Sequence, residues 1–128
     1  LQCGADLGEF LTDTDGVVTS TCDHRVSNPG EVVSLWGHMH EFGSSYRMTL
    51  NPDTPDEQIL LDMPTWSFEW QFGYTPVDTF VLEPGDRLRI ECTWDRSLSY
   101  QPEPRYITWN EGTEDEMCWT SIATVPQR

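Results

Sequence analysis

Glu83-Pro84-Gly85-Asp86-Arg87-Leu88-Arg89-Ile90-Glu91-Cys92-Thr93-Trp94 carries both signals from which the fold is read. From Arg87 onward, apolar Leu88, Ile90, Cys92 and Trp94 alternate with polar Arg87, Arg89, Glu91 and Thr93, the period of a half-buried strand. Ahead of it stands a turn with a mechanism: Pro84 presets φ and Gly85 takes a positive φ. The same pattern recurs along the chain, with Ser27-Asn28-Pro29-Gly30 as a second such turn. Strands rich in β-branched and aromatic residues are expected at 17–21, 31–40, 45–50, 59–63, 66–72, 79–82, 86–94, 105–109 and 118–125. Nine Pro and nine Gly interrupt every long segment, leaving only a short helical turn near Pro55-Asp56-Glu57-Gln58. Eight or nine short strands at this spacing predict an all-β, antiparallel β-sandwich of jelly-roll type. With no internal repeat or low-complexity linker, residues 1–128 read as a single domain.

A chain of 128 residues can bury a core without outside help. Hydrophobic residues make up only 37 %, but six Trp, five Phe and four Tyr bury large areas each, so the expected core is small and aromatic. No apolar run approaches the roughly 18–20 residues that span a bilayer, so no membrane insertion is expected. The chain begins at Leu1 rather than Met, as a mature or trimmed fragment does, so any leader or further domain would lie outside these residues. Twenty-two acidic residues against seven Arg and no Lys give a net charge of −15. That field repels phosphate backbones and excludes nucleic acid as an expected partner.

Cys3, Cys22, Cys92 and Cys118 include no C-x-x-C pair, which argues against a zinc knuckle or a thioredoxin-like motif. An even count in a small chain points to two disulfides and a secreted, periplasmic or extracellular setting. Four cysteines allow three pairings, and the sequence alone does not choose between them. Joining neighbours along the chain, Cys3 with Cys22 and Cys92 with Cys118, closes the shortest loops. The second bridge would contribute roughly 3–4 kcal/mol by the chain-entropy estimate.

The segment richest in chemistry is Trp36-Gly37-His38-Met39-His40-Glu41-Phe42-Gly43. Residues two apart on a strand share a face roughly 6–7 Å apart, so His38 and His40 can converge on one metal ion while Met39 points away. Met117, in Glu116-Met117-Cys118, has an acid on one side and a cysteine on the other, a poor setting for a core methionine. A thioether favours Cu(I), and imidazole serves both copper oxidation states, so these three residues suit one redox-active copper ion. His24 reads as a solvated loop residue, and Met48 and Met63 as core. Asp53, Asp56 and Glu57 lack the spacing of a calcium loop. Glu114, Asp115 and Glu116 shape a local negative field without forming a paired-carboxylate hydrolase. Neither a G-x-S-x-G nucleophile motif nor a phosphate-cradling glycine loop occurs.

Four motifs, in order, resemble the C-terminal catalytic domain of the type II copper, ascorbate-dependent monooxygenases, the family of peptidylglycine α-hydroxylating monooxygenase and dopamine β-monooxygenase. Gly37-His38-Met39-His40-Glu41-Phe42-Gly43 resembles the family's H-x-H-x-x-G, and Trp66-Ser67-Phe68-Glu69-Trp70-Gln71-Phe72-Gly73-Tyr74 the W-x-F-x-W-Q-x-x-Y of its bacterial members. Gly85 through Trp94, and Trp109 with Gly112 through Cys118, complete the match, which covers roughly residues 31 to 120. The resemblance implies a jelly-roll β-sandwich and a copper ion held by His38, His40 and Met117, where O₂ is activated with electrons from a reductant such as ascorbate. It also supports the Cys92–Cys118 pairing.

Two departures qualify what the resemblance implies. The full enzymes carry a first domain whose three-His copper stores electrons, and nothing in these 128 residues matches it, so an upstream copper domain is an expected partner. The peptide-amidating branch has an Arg two positions before its first ligand His, where this chain has Trp36, and Trp119 and Ser121 follow the Met-Cys pair. Those differences argue against peptide amidation. A non-catalytic copper carrier, scavenger or one-electron shuttle on the same fold is the alternative reading.

Overall fold

The computed structural model describes residues 1–3, 16–98 and 107–126. Among them the chain is all β, with seven strands and a single 3-10 turn at Arg96–Leu98. The strands are β1 (Val17–Arg25), β2 (Gly30–His38), β3 (Gly43–Leu50), β4 (Gln58–Met63), β5 (Val81–Leu82), β6 (Arg87–Asp95) and β7 (Trp119–Val125). They form two sheets, one ordered β1-β6-β3-β4 and the other β5-β2-β7, with every pairing antiparallel.

The alternation read from β6 is the alternation observed. Leu88, Ile90, Cys92 and Trp94 are buried, while Arg87, Arg89, Glu91 and Thr93 lie half-buried on the other face. Burying side chains of this size stabilises by roughly 1.5–3 kcal/mol each. Met48 and Tyr46 of β3 join Ile90 and Trp94 in a core to which Val32 and Leu35 of β2 contribute from the second sheet. Tyr46 links the sheets directly: its hydroxyl lies 2.5 Å from Thr120 Oγ1 on β7, and its ring stands close against Gly37 on β2. On the outer side Arg89 pairs with Asp23 of β1 at 2.8 Å, an exposed contact that adds little stability.

Two disulfides close the structure, Cys3–Cys22 with Cα atoms 5.5 Å apart and Cys92–Cys118 at 6.0 Å. Both join chain neighbours, as expected. The second ties the middle of β6 in one sheet to the residue just before β7 in the other. No helix among the described residues is long and apolar enough to cross a membrane.

A β-bulge in β2 decides which residues face outward. The register to β7 slips between Val32 and Ser34, leaving Val33 as the extra, exposed residue. Val32, Leu35 and Gly37 therefore point inward, and Trp36 and His38 point out. Unbroken alternation from Val32 would have turned Trp36 and His38 into the core.

Several local expectations differ from what is observed. Residues 66–72 form no strand, although aromatic residues alternate there. Trp66 N–H is held by Ser44 O on β3 at 2.8 Å, and Tyr74 exchanges both backbone hydrogen bonds with Leu35 on β2. The segment crosses from one sheet to the other and so cannot pair along either. The described residues contain seven strands rather than eight or nine. Of the strand expected at 105–109, residues 105 and 106 lie outside the described residues, and Trp109 makes only an isolated bridge to Glu116. Gly85 adopts the predicted positive φ of 101°, and Asp86 N–H closes the turn onto Glu83 O. Gly30 instead opens β2, where a Cβ would meet Thr124. His24 is part of β1 and half-buried rather than in a solvated loop. Residues 55–57 form turns, not a helix, before β4 begins at Gln58.

A Cβ on Gly37 would lie 2.6 Å from two carbons of the Tyr46 ring, which its bond to Thr120 holds in place. Gly37→Ala is expected to lower the stability of the protein by about 1–3 kcal/mol in denaturant titrations. Gly73→Ala, where the nearest atom is 3.5 Å away, should change it little.

Candidate metal centre

His38 ends β2 on its outer face, with Trp36 two residues before it and Trp119 directly opposite on β7. The Trp36 ring centroid lies 5.5 Å from that of His38 and 5.2 Å from that of Trp119. The strand stops at His38, so His40 lies beyond the strand on which the sequence placed it. Met39 between them is fully buried, and the imidazoles of His38 and His40 come together. Their centroids are 5.0 Å apart and their planes stand at 81°. A metal about 2.0 Å from a ring nitrogen lies about 3.2 Å from that ring's centroid, so two rings sharing one ion at a tetrahedral angle have centroids about 5 Å apart. The observed centroid separation equals that value.

Each ring has its Nδ1 side occupied by an oxygen. His40 Nδ1 lies 3.1 Å from the Asp115 carbonyl oxygen. A carbonyl only accepts, so this nitrogen carries the proton and Nε2 keeps its lone pair. Burial lowers the pKa of His40, and the neighbouring His38 adds to this, although the carbonyls of Asp115 and Gly112 work in the opposite direction. His38 Nδ1 lies 2.5 Å from Gln71 Oε1. The Phe68 ring stands edge-on to His40 with centroids 6.0 Å apart, covering an imidazole that is only 3 % exposed.

Met117 is brought to this end of the molecule by its neighbour. Glu116 is fully buried, and its carboxyl gathers donors from three parts of the chain. Phe42 N–H donates to Oε1 at 2.7 Å, while His40 N–H and Trp94 Nε1–H donate to Oε2, both at 2.9 Å. Met117 N–H also reaches Oε2, at 3.2 Å, so the backbone amides of His40 and Met117 share one oxygen. Met117 itself is half-buried between Glu116 and the Cys92–Cys118 bridge. Among the described residues no three His, Cys, Asp or Glu side chains form a group that could hold a metal ion.

The sequence reading missed two residues of this centre. Glu116 was assigned to a local negative field, whereas it is a buried acceptor at the junction of the metal-centre segments. An acid immediately before a Met-Cys pair that leads into a strand was the available signal. Gln71 stands among the alternating aromatics of 66–72, which predict a strand that would not direct it at His38. His24 lies on β1 in the four-stranded sheet, away from the strand that carries the pair. A scan against protein-family models gives no match for this chain, and neither does a search of curated proteins.

Desolvation pushes the Glu116 carboxyl up from 4.5 to about 7, outweighing the four donors that favour its ionised form. The folded protein therefore holds this proton more tightly than the unfolded chain does. The resulting contribution to stability is fully present below pH 4.5 and is lost as the pH rises through about 7. Glu116→Gln keeps the size but turns an amide NH₂ toward converging donors. It is expected to cost about 1–3 kcal/mol and to remove that fall from the metal-free protein's stability–pH curve, measured by denaturant titration from pH 4 to 8.

Proposed function

We propose that this chain is a copper-binding domain of the copper-dependent monooxygenase type, with His38 Nε2, His40 Nε2 and the Met117 thioether as ligands. The observation that carries the proposal is the pair of imidazoles 5.0 Å apart, each with its Nδ1 side against an oxygen. Two neutral imidazoles and a thioether form a donor set for Cu(I) that tolerates Cu(II). Bound copper would supply one-electron redox chemistry and the activation of O₂ for hydroxylation of a substrate C–H bond.

The chain's own residues give the centre its surroundings. Trp36 and Trp119 form an apolar wall beside His38, suited to an apolar portion of a substrate. Phe68 and the buried Glu116 network keep water from the inner side of His40. Electrons would come from an external reductant such as ascorbate, passed through an upstream copper domain where one is present. The two sheets are read as a jelly-roll sandwich, and the two disulfides suit a secreted or periplasmic protein.

The purified, metal-stripped protein is expected to bind one Cu(I) per chain. Met117→Ala should weaken Cu(I) more than Cu(II), because the thioether is the soft donor. Competition titrations with chromophoric copper chelators in both oxidation states measure this. Binding indifferent to His38→Ala, His40→Ala and Met117→Ala would dismiss the proposal. Tight binding without ascorbate-driven oxygen consumption would favour a carrier or electron shuttle.

A further inference from the structure

Gln71 occupies an unusual place for a residue in a surface segment. Trp70 and Phe72 on either side of it are 68 % and 54 % exposed, yet Gln71 is half-buried and turned inward. Its amide has two engagements: Nε2–H donates to the Phe68 carbonyl at 2.7 Å, and Oε1 lies 2.5 Å from His38 Nδ1. The first bond settles the second. A carbonyl accepts only, so the NH₂ end must face Phe68 and the oxygen must face the imidazole. That oxygen in turn accepts only, so His38 Nδ1 must be the protonated nitrogen. The segment is fixed at both ends, by Trp66 on Ser44 and by Tyr74 on Leu35. A turn bond from Trp70 N–H to Ser67 O shapes it between those anchors.

We infer that Gln71 is a positioning residue that holds His38 in its Nδ1–H tautomer and aims its Nε2 lone pair at the point where the His40 ring converges. The inference rests on the reading of His38 as a ligand and deepens it. His40 receives the same treatment from a backbone carbonyl, which no substitution removes. His38 is the more exposed of the two rings and depends on a side chain instead. Without Gln71, the ring would exchange between tautomers and turn about its Cβ–Cγ bond, so each binding event would first have to restore one arrangement.

Nitrogen-15 NMR of the histidine rings in the metal-free protein tests this directly. In the wild type, His38 should show a protonated Nδ1 and an unprotonated Nε2. Gln71→Leu should move His38 toward the Nε2–H form and leave His40 unchanged, which also reports that the fold is intact. Gln71→Glu, whose carboxylate still accepts from Nδ1–H, should retain the wild-type tautomer. Cu(I) affinity should fall about 10–100-fold in Gln71→Leu and by less in Gln71→Glu. A His38 tautomer unaffected by Gln71→Leu would overturn the inference. A tautomer that responds in a wild-type protein that binds no copper would uphold the role of Gln71 and refute the copper reading.

Discussion

A carboxyl group withdrawn from water among four hydrogen-bond donors is the constraint on which this structure turns. Glu116 accepts from the backbone of His40 and Phe42, from the Trp94 indole and from Met117. Those groups belong to the segment after β2, to β6 and to the approach to β7, so one side chain fixes three otherwise separate pieces of chain. Left without the carboxyl, each buried donor would carry its own desolvation penalty. The Cys92–Cys118 bridge acts beside it on the same segments, covalently and two residues further along. Together they set where Met117 stands relative to the histidine pair.

Around that junction the centre is assembled from unlike parts. His38 belongs to a strand and takes its direction from a bulge, whereas His40 follows the strand and takes its direction from a carbonyl in the 110–117 loop. Gln71 comes from a segment bridging the two sheets. The two imidazoles lie on one stretch of chain, and the oxygens against their Nδ1 atoms come from two others.

Much of this was legible in the chain. Alternation in 87–94 identified β6 and its buried face, the Pro84-Gly85 pair identified its turn, and pairing of chain neighbours anticipated both disulfides. The closeness of the His38 and His40 rings also followed from period-two geometry. The bulge at Val33 could not be read, because an apolar extra residue in an apolar run leaves no mark until a partner strand exposes the slip. Nor could the path of 66–74, where aromatic alternation implies a strand and only the anchors at Ser44 and Leu35 reveal a crossing. Glu116 looked like one more acid in an acidic loop, since burial of a carboxyl depends on donors that lie far away in sequence.

The strand pairing has a further consequence for how the molecule comes into being. β1 closes on β6 and β2 on β7, so each sheet contains a pairing between strands far apart in the chain, although β3 and β4 are neighbours. Such pairings must overcome a long loop closure before any contact rewards them, which makes folding slow. The small sheet gains its second long strand only when β7 arrives, and the residues bringing Met117 beside His40 arrive with it. A chain emerging from a ribosome or a translocation pore would therefore present its histidines long before its methionine.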